Sequence, residues 1–309
     1  MTAVLLAGGT GAAKLLRGLV AMVDPGTFTV IGNTGDDLVW WGLHVSPDLD
    51  TLIYTLAGLV DESRGWGIKG DTFRCLAAMA QLGAPTWFNV GDQDMATHLY
   101  RSERLREGAT LHQVTDEIRR KFGVRAEILP MSNDPVRTCI GTPNGWLDFQ
   151  EFFVREKFQV EVLDVSYEGA DRGLPTEGVL SAIERADTVI ISPSNPISSI
   201  GPITALPWVT AALKATRARV IAVSPIAGGA PVSGPAGVLM AAKGLPVSAV
   251  GVAQYYQEWL DILVIDRQDA ALAYEIEQMG IRALVTDTIM NDRSKEVALA
   301  RHLLEAITR

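Results

Sequence analysis

The chain has 309 residues, 48% hydrophobic and 20% charged, with a net charge of −9. That length can bury a full core as one large domain or two, and the acidic balance excludes a broad nucleic-acid footprint, which needs concentrated Lys and Arg. Cys75 and Cys139 fit no metal-ligand spacing, no leader-like segment opens the chain, and no apolar run approaches the about 18–20 residues that cross a bilayer, so a reduced, cytoplasmic protein with no membrane partner is expected.

Residues 2–7 (TAVLLA) form a short apolar run ending in glycines, and KLLRGLV follows with helical spacing. Strand, glycine turn and helix open a nucleotide-binding βα unit. The turn Gly8-Gly9-Thr10-Gly11 lacks the GK[ST] ending of a P-loop, and Lys14 stands where G-x-G-x-x-G needs its third glycine. It is read either as a tight turn alone or as bare N–H groups and a helix start facing a phosphate, with Lys14 as a point charge.

A second strand at residues 28–31 feeds into a loop holding Asn33, Asp36 and Asp37, and Asp48 and Asp50 follow in SPDLDT. Clustered carboxylates repel and are costly to desolvate unless a cation joins them, so a divalent metal bridging to phosphate is one reading. Local structure is the other. Asp36 can belong to an Asx-type turn, and Ser46 can cap a helix with Pro47 first, where Asp48 gains about 0.3–1 kcal/mol from the dipole. Asp50 lies near the end of that favourable region and is assigned to metal or substrate. Trp40 and Trp41 are either an aromatic wall for a planar ligand or core anchors.

Residues 51–122 carry helical spacing of apolar residues, with Asp71 and Thr110 as caps and Gly83 and Gly123 as stops. Within this block NVGDQDMATH echoes the earlier NTGD; Asp92 or Asp94 at a helix start reads as a cap, and His98 as structural. Strand character over 126–165 includes a hairpin at Pro143-Asn144-Gly145. Strand and helix then alternate to the end, and two strands close on SPSNP and SP. The predicted fold is α/β: a Rossmann-like, doubly wound, mainly parallel sheet. One domain over 1–309 would carry a helical cap at about 51–125 and a small β-rich insertion at about 126–165.

Taken in order, LAGGTGAAKLLRGL, NTGDD, SPDLDT, RGWGIKGDTF, NVGDQDMATHL, ILPMSNDPV, FQEFFV, SPSNPISSIGPI, SPIAGGAPVSGPAG and GVAQYYQEWLD resemble the 2-phospho-L-lactate transferases of coenzyme F-420 biosynthesis, across almost the whole chain. The resemblance implies a dimeric enzyme using Mg²⁺. It would move a phosphate-linked three-carbon acid from a guanosine diphosphate donor to the deazaflavin alcohol Fo and release GMP. It places Asp50 at the reacting acceptor, with Asn89, Asp92 and Trp66 also against Fo; Asn89 stands where Lys is expected in archaeal members. It assigns Asp36, Asp37 and Asp48 to the metal. Gly8, Gly9, Thr10, Gly11, Lys14, Asn33, Ser194, Asn195, Ser224 and Gly228 would hold the nucleotide and its phosphates. By this reading Asp50→Ala abolishes activity and spares the fold.

Two other functions compete. A nucleotide-sugar-binding regulator of the same superfamily is similar at the N-terminus, but follows its DD pair with glycine and serine rather than LVWWGLHVSPDLDT. A nicotinamide-dependent oxidoreductase is opposed by the missing third glycine and the acidic edge.

Overall fold

The apolar runs that end in glycine, asparagine or serine are strands of one parallel sheet. The computed structural model describes residues 2–308. It begins with β1 (Ala3–Ala7), α1 (Gly9–Val20) and β2 (Phe28–Gly32). A two-stranded hairpin, β3 (Leu38–Trp40) and β4 (Leu43–Val45), leads into four helices: α2 (Pro47–Leu56), α3 (Arg74–Gln81), α4 (Asp92–Arg106) and α5 (Leu111–Lys121). Next come β5 (Glu127–Pro130), β6 (Arg137–Thr142), β7 (Gly145–Asp148) and β8 (Asp164–Glu168). The remainder is α6 (Val179–Arg185), β9 (Thr188–Ile191), α7 (Gly201–Ala205), α8 (Pro207–Ala215) and β10 (Arg219–Val223), then a short hairpin of β11 (Ile226–Ala227) and β12 (Ala230–Pro231). It closes with α9 (Ala236–Ala242), α10 (Ala249–Tyr256), β13 (Ile262–Asp266), α11 (Ala273–Gln278), β14 (Arg282–Thr286) and α12 (Arg293–Thr308).

Seven strands pair in the order β14-β13-β10-β9-β1-β2-β5, all parallel. Side chains alternate between two separate apolar layers. Leu5, Val30, Ile190 and Val264 face α1, α2, α5 and α12, while Leu6, Ile31, Ile191 and Ile265 face α6 to α11. A strand buried on both faces must be apolar throughout, which is why these runs show no period-two pattern. The chain runs outward from β1 through β2 to β5, then returns to place β9 on the other side of β1. The carboxyl ends of β1 and β9 therefore diverge at a switch point, where α/β sheets collect ligands.

Residues 127–130, expected in the β-rich insertion, instead form the edge strand β5, because Ile128 and Leu129 are buried beside β2. The separate antiparallel sheet is β7-β6-β8, and the Pro143-Asn144 turn joins β6 to β7. The β3–β4 turn was not expected: it needs positive φ at Trp41 and Gly42, and a bulky aromatic residue rarely accepts that. No single helix among the described residues is long and apolar enough to cross a membrane.

Thr110 caps α5 in a full capping box with Gln113, and Gly83 and Gly123 follow their helices at positive φ. Asp71 behaves otherwise. Its carboxylate accepts the Gln93 and Asp94 amides at the start of α4 (2.9 and 3.0 Å), while Asp92 accepts the Arg74 and Cys75 amides at the start of α3 (3.1 and 3.0 Å). The two helices exchange caps, so neither end is satisfied without the other. Asp92→Ala should speed amide hydrogen exchange at Arg74 and Cys75 and lower the urea midpoint. Unchanged exchange at both amides would contradict the cap.

Candidate active site

The ends of β1, β2, β9 and β10 open into a cavity of about 510 Å³. Its wall includes Gly8, Gly9, Thr10, Gly11, Lys14, Asp36, Asp48, Asp50, Trp66, Asn89, Ser194, Asn195 and Ser224, all candidates from the sequence. Asn33 is buried behind this wall, hydrogen-bonded to Asp48. Asp37 is also set back, held by His44 and Ser46. Asp92 and Gly228 are not part of the wall. Asp92 is occupied by the α3 cap, and the Gly228 amide donates to Asp269 (3.0 Å).

The glycine turn is shaped as much by packing as by any ligand. A side chain at Gly11 would sit 2.1 Å from the Pro193 carbonyl oxygen, and one at Gly8 would meet Asp48 and Ser199. The Gly9 amide at the start of α1 donates to Asp48 Oδ1 (2.7 Å), and Asn33 Nδ2 donates to Asp48 Oδ2 (2.9 Å). Asp48 is thus a cap, but of α1 rather than of its own helix. Ser46 stands at the N-cap position of α2, yet its hydroxyl is turned to Asp37 Oδ2 (2.7 Å). Lys14 donates to the Met290 carbonyl (3.0 Å) and is the only lysine or arginine in the cavity wall among the described residues.

Asp36 and Asp48 are buried at this edge and Asp37 is mostly so, and loss of solvent raises the pKa of each. Asp36 is lifted well above the usual carboxylate range by burial and then by the neighbouring Asp48 charge. Burial pushes Asp48 up to about 6, opposed by its bonds from Asn33 and Gly9. Asp37 is raised by burial and held back by His44 and Ser46. Asp36 Oδ1 and Asp37 Oδ1 are buried without any hydrogen-bond partner. Buried acceptors left open in this way fit a hard divalent cation, which takes oxygen ligands. Both Asp48 oxygens already have donors, so Asp36, on the wall itself, is the best-placed ligand of the three.

Asp50 lies in a different electrostatic setting. The fully buried Arg101 guanidinium grips it with two hydrogen bonds, one of 3.0 Å from Nη1 to Oδ2 and a shorter one from Nη2 to Oδ1. Burial alone would lower the Arg101 pKa; the Asp50 charge and hydrogen bonds, together with Tyr54 and Asp37, outweigh it and hold the guanidinium above its ordinary value. Asp94, His98 and Arg101 follow one face of α4 at i, i+4 and i+7, opposite Asp50 and Tyr54 on α2. Tyr54 Oη is within 2.7 Å of Asp94 Oδ1 and 2.8 Å of Thr97 Oγ1. Asp50, Asp94 and His98 have the spacing of a metal triad, but the guanidinium already supplies a cation at Asp50.

Arg101 was not anticipated, and His98 was read as structural. The buried face of α4 consists of Asp94, Thr97, His98, Arg101 and Ser102, not the apolar stripe expected there. The signal was their seven-residue spacing, which on a surface helix describes a solvated face. Trp40 and Trp41 are core anchors: Trp40 is buried and packs on Trp41, Trp87 and Phe88. The aromatic part of the cavity wall is Tyr54, Trp66, Phe88, Phe149 and Phe153, two of them from the FQEFFV segment. On the β9 side, Ser194 donates to the Gly8 carbonyl (2.6 Å) and Asn195 Oδ1 accepts the Ile197 amide (2.9 Å). The Asn195 Nδ2 donor has no partner.

The family model described as 2-phospho-L-lactate transferase CofD matches residues 3–302. The chain is 46% identical over 301 residues to the 2-phospho-L-lactate transferase of Methanosarcina acetivorans, covering 97% of each protein. It is 44% identical to that of Methanothermobacter thermautotrophicus, covering 98% of this chain and 97% of the other. Against the enzyme of the same name from Methanocaldococcus jannaschii it is 42% identical, covering 97% and 96%. Among solved structures, a UPF0052 family member from Bacillus halodurans superposes with a TM-score of 0.66 at 16% identity, covering 100% of this chain and 98% of that one; this likeness speaks to the fold alone.

The Asp48 shift has a measurable sign. A carboxyl raised from about 4 when unfolded to about 6 when folded costs nothing below pH 4, and destabilises progressively as pH climbs through the folded value, by up to about 3 kcal/mol. With chelator present, Asp48→Asn should therefore gain stability relative to the parent protein between pH 4.5 and pH 7 in urea unfolding. A pH-independent difference would contradict the shift.

Proposed function

The chain belongs to the 2-phospho-L-lactate transferase family, and from that premise we propose that it moves a phospholactyl or enolpyruvyl-phosphoryl group from a guanosine diphosphate-linked donor to the terminal ribityl hydroxyl of Fo, releasing GMP. The observation that carries this reading is the charge of the cavity wall. Asp36, Asp48, Asp50 and Asp94 face it, and Lys14, the one lysine there among the described residues, is tied to Met290. Such a wall repels a diphosphate unless a divalent cation joins the two.

In this reading Asp36, with Asp37 behind it, would hold Mg²⁺, which would supply charge withdrawal from the diphosphate and stabilisation of the leaving GMP. The protein's own groups do the placing. Asn195 offers an unpaired amide donor, and Ser194, Ser224 and the Gly8–Gly11 turn line the donor side. Trp66, Phe88, Phe149 and Phe153 offer apolar faces to a planar deazaflavin, with Asn89 and Asp50 beside them. The Fo hydroxyl oxygen forms a bond to the phosphorus that carries the three-carbon acid. The bond from that phosphorus to the GMP oxygen breaks, and the hydroxyl proton passes to Asp50 or to solvent. No covalent enzyme intermediate is needed, because positioning and charge stabilisation can supply the acceleration. The helices of roughly 51–125 would cap the acceptor side of one transferase domain spanning 1–309, in a cytoplasmic homodimer.

Purified protein with Mg²⁺, Fo and the guanosine donor should release GMP and give phospho-acid Fo by mass spectrometry. Absence of product with both the lactyl and the enolpyruvyl donor would refute the transfer. Competition among phospholactate-, phosphoenolpyruvate- and phosphoglycerate-linked donors identifies the one used. Asp50→Ala is a poor probe, since stranding buried Arg101 costs about 3–5 kcal/mol. Asp50→Asn keeps the volume and one acceptor oxygen for Arg101, though not its counter-charge; measured on protein shown to be folded by circular dichroism, kcat/KM for Fo should fall by about 100-fold or more. Activity at the parent level would remove Asp50 from the reaction.

A further inference from the structure

Among the described residues Arg101 is the largest fully buried side chain, at 0% exposure, and it lies directly behind Asp50. A lone buried ion pair is weak evidence for stability, because desolvation cancels much of the attraction. Its persistence here therefore calls for a role other than holding α2 to α4. The guanidinium is planar and can only donate; no other side chain offers two parallel N–H groups to a carboxylate. It fixes Asp50 in plane and in rotation. Each Asp50 oxygen then keeps a lone pair available to a ligand in the cavity, since a carboxylate has about four acceptor sites.

The same guanidinium acts on His98. Nη1 lies 3.3 Å from His98 Nδ1 and, because Arg only donates, this contact is a hydrogen bond when Nδ1 is the unprotonated nitrogen of the ring. The same Nδ1 lies 3.6 Å from Asp50 Oδ2. In that tautomer the proton is on Nε2, which has no hydrogen-bond partner and lies 3.4 Å from Asp94 Oδ2. His98 itself is 1% exposed and forms part of the cavity wall.

We propose that Arg101 is a positioning residue for the transfer: one guanidinium orients the Asp50 carboxylate as an acceptor and locks His98 as the Nε2–H tautomer. The cavity floor thereby presents an acceptor and a donor side by side to the polyhydroxylated chain of the alcohol substrate. A hydroxyl chain needs both kinds of partner, because each hydroxyl donates once and accepts as well. This rests on the reading that the alcohol acceptor binds at Asp50.

Steady-state kinetics with Fo and the guanosine donor varied separately test it. Arg101→Met should lower kcat/KM for Fo by about 100-fold while moving KM for the donor by less than about threefold. Arg101→Lys should recover only part of the loss, and millimolar guanidinium should rescue Arg101→Ala. A folded Arg101→Met with unchanged kcat/KM for Fo overturns the proposal. So does a loss that follows only the unfolded fraction and strikes both substrates alike. If the variants do not fold, the histidine side-chain ¹⁵N spectrum of the parent protein decides: an unprotonated Nδ1 and protonated Nε2 on His98 support the proposal, and the opposite tautomer overturns it. Failure of the parent protein to make phospho-acid Fo overturns the acceptor reading instead, and is seen before any variant is compared.

Discussion

Carboxylates withdrawn from water set the terms for everything at the carboxyl edge of this sheet. Each needs a donor or a cation within reach, and the fold supplies these from different elements. Asp48 takes the first amide of α1 and the side chain of Asn33. Asp50 takes the guanidinium of Arg101 from α4. Asp94 takes the phenol of Tyr54 from α2. Among the carboxylates of the described residues, Asp36 and Asp37 alone keep a buried oxygen with no partner. The unmet part of the charge therefore lies on one loop, between the end of β2 and the β3–β4 hairpin.

This distribution links architecture to chemistry. The switch point between β1 and β9 opens a cleft, and α2 carries Asp48 and Asp50 to it within its first turn, about 200° apart around the helix. Asp48 faces the glycine turn and Asp50 faces α4, so one short helix serves both sides of the cavity. The exchanged caps of Asp71 and Asp92 fix α3 to the start of α4, the helix bearing Asp94, His98 and Arg101. An acidic wall of this kind would suit the proposed diphosphate donor, because a cation that neutralised it would also activate the phosphate.

The sheet was legible because a strand buried on both faces has to be apolar, and the alternating elements left few topologies. The glycine turn, Asn195 and Ser224 line the cavity because they follow β1, β9 and β10. Asp50 lines it from α2, whereas Trp66 and Asn89, in the loops on either side of α3, were indicated only by the family resemblance. What escaped was long-range pairing among polar residues. Asp48 looks like the cap of the helix it begins, and only the fold shows that the amide it meets belongs to α1. Asp71 precedes α3 and Asp92 opens α4, yet each serves the other helix. Arg101 sits in a segment rich in charge, QDMATHLYRSERLREG, where nothing local separates a buried guanidinium from a solvated one. Trp41 at positive φ runs against residue preference, so its turn had no sequence signal.

The central claim is that the Asp36 edge accepts a diphosphate only through a divalent cation. Calorimetric titration of GDP, a stable probe for the donor's diphosphate, measures this directly in Mg²⁺ and in chelator. We expect binding with Mg²⁺ that disappears on chelation and is weakened by Asp36→Asn at saturating metal. Equal affinity with and without the ion would contradict the claim.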